Sequence, residues 1–374
     1  MSRQLYLHIG QTKTGSTSLQ TFLHTNRQAL RQQGILYPMM PAGEVARIQH
    51  RFLVHSLHAA GEDHWRAAPV WAPFFKALHG QPEPTAIVSE ETFWHLFEHR
   101  SDRRTGAIRW VAQMLSDFEV KVVVYLRRQD QWVESWFNQV ARAPVRRAAS
   151  ALTFDEFVQR QHRFGLFDYA AILDDWATAF GRDAIEVRTF EREALTNANV
   201  VDDFCGLVGI EATADFAPAW QAQRRLSPAT CRFANLFNRW PDADPSRAAF
   251  LGALRGVSDF AAAPASKLLS NADAHALVER YAGANQRVAA EYLGGRPLFT
   301  PVDQDDRTAL FGGASADEVA ALAIRLFVAQ QRETDDLRQQ VAALSDRLAA
   351  LADPGSPSPA LGHSDAVERA AEPS

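Results

Sequence analysis

The sequence predicts an α/β fold, a central parallel sheet flanked by helices, with helical additions at its C-terminal end. Three stretches carry that expectation. Leu5 to Ile9 is a short apolar run, followed by a glycine-bounded loop, Gly10 to Ser16, and by Leu19, Phe22 and Leu23 at helical spacing. Thr85 to Ser89 is a second apolar run and ends in two carboxylates, Glu90 and Glu91. Val122 to Leu126 is a third, continuous and largely β-branched, as a central parallel strand covered on both faces should be. Arg127 and Arg128 follow it, and then a helix begins near Asp130. In such sheets ligands bind outside the carboxyl ends of the strands.

The 374 residues are enough for one large α/β domain or two smaller ones, and a hydrophobic content of 47% supplies a sizeable core. A net charge of −5 argues against general nucleic-acid binding. The two cysteines, Cys205 and Cys231, form no C-x-x-C pair, which excludes a disulfide framework and a cysteine-rich zinc site. The N-terminus has no apolar h-region and no run of about 18 apolar residues occurs, so a soluble, cytoplasmic protein without a membrane span is expected.

The opening stretch is the most informative. A strand, a loop and a helix N-terminus bring backbone N–H groups and the positive end of a helix dipole to one point. Lys13 adds a charge, and Thr12, Thr14, Ser16, Thr17 and Ser18 add hydroxyls. Gly10 and Gly15 have Walker A spacing, but Ser16 and Thr17 stand where that motif places Lys and Ser/Thr. The lysine has moved forward into the loop. The plainer alternative is an ordinary crossover turn, yet one lysine and five hydroxyls between Thr12 and Ser18 favour phosphate binding over it.

Taken in order, Leu19 to Gln33 continues the first helix and Gly34 ends it. Ile35 to Pro84 reads as irregular, with His50, His55, His58, His64 and His79 scattered and Trp65, Trp71, Phe74 and Phe75 as core or cleft aromatics. No metal site is expected there. Glu90 and Glu91 stand at a strand end, where an acid serves as a general base or caps the next helix. Gly106 to Phe118 is a helix with Ile108, Val111, Met114 and Leu115 inward. Arginine suits a phosphate through its bidentate fork; the alternative is that Arg128 pairs with Asp130 at the surface. Ser135 falls about two turns into the helix after the third strand, able to face the same crevice as Arg127.

Arg142, Arg146 and Arg147 form a basic loop. Thr153 to Glu156 is a capping box. Tyr169 to Phe180 is an amphipathic helix closed by Gly181, Ala184 to Phe190 a strand, and Val200 to Val208 a helix ended by Gly209. Beyond Phe216 the pattern is helical: a start at Ser227-Pro228 that buries Cys231, Phe233, Ala234, Leu236 and Phe237, then a helix over Ala274 to Tyr292. Leu298 to Pro301 is extended. The expected organisation is a domain over 1–311, a long helix over 312–352 opened by a capping box at Ser315, and a disordered tail over 353–374. Leu337, Val341, Leu344, Leu348 and Leu351 alternate spacings of four and three, an a/d seam that packs back on the domain or pairs with another copy as a homodimer.

Two of these stretches together resemble the family of sulfotransferases that use 3′-phosphoadenosine-5′-phosphosulfate (PAPS). That family's first signature, a strand–loop–helix of the type PK-[ST]-G-T-[ST], is matched by QTKTGSTS, Gln11 to Ser18. Its second, R-x-P-x-x-x-x-x-S after a strand, is matched by RRQDQWVES, with Arg127 and Ser135 in place and Gln129 where proline is usual. The resemblance runs over roughly residues 5 to 300, including VSEE, FDYAAILDDWATAFG and VRTFERE. It implies a P-loop-like fold. It also implies that Gln11, Thr12, Lys13, Thr14, Gly15, Ser16, Thr17 and Ser18 hold the 5′-phosphosulfate, and that Arg127 and Ser135 hold the 3′-phosphate. Lys13 is then catalytic, and Glu91, or next to it Glu90, is the base, with His95 a third candidate. No metal is implied. The acceptor would be a small molecule or glycan, with a carbohydrate or glycolipid hydroxyl (or an amine) favoured. The alternatives are a P-loop nucleotide kinase or NTPase, and an inactive nucleotide-binding scaffold.

Overall fold

The computed structural model describes residues 3–38, 48–97, 101–141, 152–213, 216–218, 231, 234–235, 266–311 and 316–352. Five parallel strands, β1 (Arg3–His8), β2 (Ile35–Leu36), β3 (Thr85–Ser89), β4 (Phe118–Leu126) and β5 (Ile185–Thr189), form one sheet in the order β2-β3-β1-β4-β5. β1 lies at the centre. Leu5 is in register with Ala86 of β3 on one side and Val120 of β4 on the other. The parallel α/β expectation therefore holds.

Side chains alternate across a strand, and β4 shows the consequence. Val122, Val124 and Leu126 enter one apolar core with Leu5, Leu7, Trp71, Trp132 and Trp176. Val123 and Tyr125 enter the other, with Leu19, Leu23, Ile87 and Phe204. A strand buried on both faces must be apolar at every position, which is why this run has no polar alternation.

Helices α1 (Ser16–Thr25), α2 (Arg27–Gln32), α3 (Arg51–Ala60), α4 (Ala68–His79), α5 (Ser101–Met114), α6 (Gln129–Ala141), α7 (Phe154–Arg163), α8 (Tyr169–Phe180) and α9 (Val200–Val208) surround the sheet. The single helix expected to Gln33 is broken at Asn26. Its side-chain amide donates to the carbonyls of Phe22 and Ala217 and accepts from Ala217 N–H, anchoring the kink to a distant segment. The stretch read as irregular, Ile35 to Pro84, contains β2, α3 and α4. There Leu53, Val54 and Leu57 form one buried face and Trp71, Phe74, Phe75 and Leu78 another, while Trp65 is exposed. Pro69 sits in the first turn of α4, where its missing N–H costs nothing.

The helix expected over Ala274 to Tyr292 is two, Asn271–Arg280 and Ala282–Tyr292, parted at Tyr281. The Thr153–Glu156 capping box is present in both directions, with Glu156 N–H on Thr153 Oγ1 at 3.1 Å and Thr153 N–H on Glu156 Oε2 at 2.6 Å. A long helix spans Ala316–Ala352. Cys231 and Ala234 are buried. The basic loop at Arg142, the helix start at Ser227, Phe233, Leu236, Phe237, the capping box at Ser315 and the tail over 353–374 lie outside the described residues. No helix among the described residues is long and apolar enough to cross a membrane.

Leu298 to Pro301 closes over the carboxyl edge of the sheet. Thr189 Oγ1 donates to Leu298 C=O at 2.9 Å, and Arg128 Nη1 donates to the carbonyls of Thr300 and Pro301, each at 2.9 Å. That strap ties the C-terminal segment to the strand ends, and a two-stranded parallel ribbon, Ser266–Lys267 with Ala309–Leu310, is followed by Leu268 and Leu269, whose N–H groups donate to Glu134 of α6.

Candidate functional site

The carboxyl ends of β1, β3 and β4 bring together the loop Gly10–Gly15, the carboxylates Glu90 and Glu91, and Arg127. Ladder bonds continue just past the strands, with Ile9 N–H on Val123 C=O and Glu90 N–H on His8 C=O, both at 3.0 Å. These bonds fix the loop and the acidic pair against each other.

The loop is held in an unusual shape. Gly10 and Gly15 have φ of 76° and 81°, and Lys13, which carries a side chain, has φ of 71°. A non-glycine residue in the left-handed region costs on the order of 1–3 kcal/mol and persists only when its surroundings impose it. Three donors do so. Thr14 Oγ1 donates to Gln11 C=O at 2.5 Å, Trp132 Nε1 to Thr12 C=O at 3.1 Å, and Arg127 Nη1 to Lys13 C=O at 3.3 Å. Three consecutive carbonyls are thus engaged, the first within the loop and the next two by α6 and the end of β4. Because a trans peptide is planar, the N–H groups of Thr12, Lys13 and Thr14 point the opposite way.

Helix α1 begins directly after the loop. Its N-cap is Gly15, no side chain caps it, and no acidic residue lies in its first turn. A helix start of this kind leaves backbone donors and a positive dipole end uncompensated. Ser16 Oγ is buried and has no hydrogen-bond partner among the described residues. Thr12 and Thr14 are buried, Lys13, Gly15 and Ser18 half-buried, and Thr17 exposed. A side chain at Gly10 would put its Cβ 2.5 Å from Glu91 Cα. The first glycine is therefore demanded both by its φ and by the acidic pair packed on it.

Glu90 and Glu91 share Arg51, whose Nε lies 3.5 Å from Glu90 Oε1 and whose Nη2 lies 3.3 Å from Glu91 Oε1. Glu90 caps the 3-10 turn Glu91–His95, accepting Thr92 N–H at 3.1 Å and Thr92 Oγ1 at 2.6 Å on Oε1, while Oε2 is buried without a partner among the described residues. Burial, and then the Glu91 charge, push the Glu90 carboxyl up to about 7 against the pull of Arg51 and the Thr92 bonds. Glu91 accepts Gln20 Nε2 at 2.8 Å, and Gln20 also reaches Ser89 Oγ, which meets His8 Nδ1 at 2.7 Å. The Glu91 side chain is 12% exposed and that of Glu90 0%.

His95 Nε2 lies 3.0 Å from Thr12 Oγ1, and the ring stacks on Trp136 at 4.3 Å between centroids. Burial pushes its pKa down to about 3, so it is neutral. Arg127 donates its backbone N–H to Gln11 Oε1 at 2.9 Å, its guanidinium lies 5.8 Å from the centre of the Phe190 ring, and Tyr169 Oη donates to its carbonyl. Arg128 behaves differently. It forms a buried two-pronged pair with Asp130 at 2.8 and 2.9 Å, so the pairing foreseen for these two holds and the surface location does not. Ser135 is buried on α6.

Of the residues singled out from sequence, the structure brings Gln11 to Ser18, Glu90, Glu91, His95 and Arg127 to one edge of the sheet. Gln20, Arg51, Trp132 and Tyr169 were missed as parts of it. Gln20 had a signal, a buried amide on the apolar face of α1 between Leu19 and Leu23. Arg51 had none of its own, and the segment it opens, with Leu53, Val54 and Leu57 at helical spacing, was read as irregular. Among the described residues no group of three or more histidine, cysteine or acidic side chains is arranged to hold a metal.

No family model matches the chain. A protein of Archaeoglobus fulgidus described as uncharacterized is 31% identical over 125 residues, 33% of this chain and 30% of that relative. The chain thus matches less than a third of that relative's length. A solved structure, a sulfotransferase from Alicyclobacillus acidocaldarius, is similar over 75% of this chain and 97% of that one, at 16% identity and a TM-score of 0.36, too distant a likeness to bear on function.

Proposed function

We propose that this chain is a sulfotransferase that moves the sulfuryl group of PAPS to a hydroxyl or amine of an acceptor, with a carbohydrate or glycolipid favoured. One observation carries the reading. The loop, with the carbonyls of Gln11, Thr12 and Lys13 each engaged by a donor, leads straight into a helix N-terminus that no side chain caps, an arrangement that suits an anion. The unpartnered buried hydroxyl of Ser16 fits the same ligand.

When bound, PAPS supplies an activated sulfuryl group and departs as 3′,5′-bisphosphoadenosine. Gln11 to Ser18 would hold its 5′ end, and Arg127 and Ser135 its 3′-phosphate. Lys13 places a positive charge where negative charge grows on the departing side, and one such donor is worth on the order of 3 kcal/mol of barrier. Glu91 receives the acceptor's proton, a contribution of about 10²–10⁴-fold. Glu91 is preferred to Glu90 because its carboxylate is the accessible one, while Arg51 and Gln20 hold it in place. The activity resides in residues 1–311.

The test is transfer of labelled sulfate from PAPS to a panel of glycans and glycolipids, run beside ATP labelled at its γ-phosphate. Transfer of sulfate that is lost in Lys13→Ala and slowed by Glu91→Gln supports the reading. Transfer of phosphate alone, or sulfate transfer indifferent to Lys13, overturns it.

A further inference from the structure

The helix Ala316–Ala352 carries an apolar seam longer than its most obvious leucines. From Ala320 a strict three–four spacing selects Ala323, Phe327, Gln330, Thr334, Leu337, Val341, Leu344 and Leu348. All are exposed except Thr334, which is half-buried. Phe327 is 63% exposed, Leu337 54%, Val341 65%, Leu344 55% and Leu348 67%. Five large apolar side chains on one line of one helix are a face made to be covered. At about 1.5 Å per residue the seam from Ala320 to Leu348 is roughly 40 Å long, too extended to be a single ligand pocket.

We infer that this seam pairs with the same seam of a second copy, as a parallel, in-register two-stranded coiled coil. The charges beside the seam select that occupant and that direction. With Phe327, Thr334, Val341 and Leu348 at the a positions, Glu333 falls at g and Arg338 at the following e. In a parallel pair, g of one helix faces the following e of the other, so Glu333 of each copy meets Arg338 of its partner copy, twice by symmetry. The other flanking positions, among them Ile324, Leu326, Gln331, Gln340, Ser345 and Arg347, set no like charges opposite each other in this register. Arg338 bonds Asp335 of its own helix at 3.2 Å, an exposed i,i+3 contact that is readily exchanged. In register, Gln330 meets Gln330 and Thr334 meets Thr334, so polar side chains face polar ones.

The mass of the full chain in solution, measured by light scattering on a sizing column at tens of micromolar, tests this. The expected value is about twice 41.6 kDa, and a monomer or a higher oligomer overturns the inference. Leu344→Asp with Leu348→Asp should give a monomer whose sheet signal in circular dichroism is unchanged. Should that variant fail to fold, charge exchange decides. Glu333→Arg and Arg338→Glu should each weaken the dimer about fivefold, two exposed pairs being worth about 1 kcal/mol, and the two together should restore it. Additive weakening in the double variant overturns the pairing. For direction, Leu344→Cys should form a disulfide between copies on mild oxidation, the natural Cys205 and Cys231 being buried. A dimer in which position 344 does not cross-link overturns the parallel register.

Discussion

Arg127 donates its backbone N–H to the side chain of Gln11, 2.9 Å away, and its guanidinium to the carbonyl of Lys13. The end of β4 and the loop after β1 are thus one unit, although 114 residues separate Lys13 from Arg127. The loop's strained shape is held by these contacts from β4 as well as by its own glycines and the Thr14 hydroxyl.

Lys13 is the strained member. With φ of 71°, Lys13→Gly relieves a left-handed side chain. It is expected to stabilise the fold by about 1 kcal/mol in urea denaturation while abolishing sulfate transfer. Lys13→Ala should also lose transfer, by about 10²–10³-fold, with no gain in stability.

Gly10→Ala should destabilise the protein by about 3 kcal/mol. Its Cβ would lie 2.5 Å from Glu91 Cα, and the backbone at φ of 76° resists any side chain. A denaturation midpoint equal to wild type would mean that the acidic pair does not pack on this glycine.

The two arginines after β4 should separate by readout. Arg128 is locked to Asp130 and to the strap at Thr300 and Pro301. Arg128→Ala leaves Asp130 buried and unpaired, at about 3–5 kcal/mol of stability. Arg127→Ala should change stability far less and weaken bisphosphoadenosine binding instead.

Stability should depend on pH in two opposed ways. His8 and His50 are pushed down to about 4 by burial. Between about pH 6.5 and 4 the unfolded chain binds protons there that the folded chain does not, so stability falls as pH falls. Glu90 has the opposite sign. Its carboxyl is pushed up to about 7, so between about pH 4.5 and 7 the folded chain holds a proton the unfolded one lacks, and stability falls as pH rises. Glu90→Gln should therefore raise stability at pH 7.5, by at most about 3 kcal/mol, and make the acid-side loss steeper. Parallel stability–pH curves for the variant and wild type would show that Glu90 ionises normally.

The sheet was legible because its strands are buried on both faces, which forces unbroken apolar runs at Thr85–Ser89 and Val122–Leu126. The loop was legible because glycines, hydroxyls and a lysine crowd one turn. What escaped lies in contacts between distant segments. Asn26 breaks a helix by reaching Ala217, and no local pattern signals that. α3 and α4 were hidden in a stretch read as irregular for its scattered histidines and aromatics, and α4 carries Pro69 in its first turn and Pro73 inside it. Arg51 reaches both carboxylates from α3, so missing that helix also meant missing the cation they share.

Calorimetric titration with 3′,5′-bisphosphoadenosine, in the absence of Mg²⁺ and alongside ATP with Mg²⁺, tests the central claim most directly. The expected result is saturable binding of the bisphosphate without metal, lost in Arg127→Ala and weakened in Lys13→Ala, with no comparable binding of ATP. Binding of ATP with Mg²⁺ and none of the bisphosphate would contradict the assignment of this loop to a phosphosulfate.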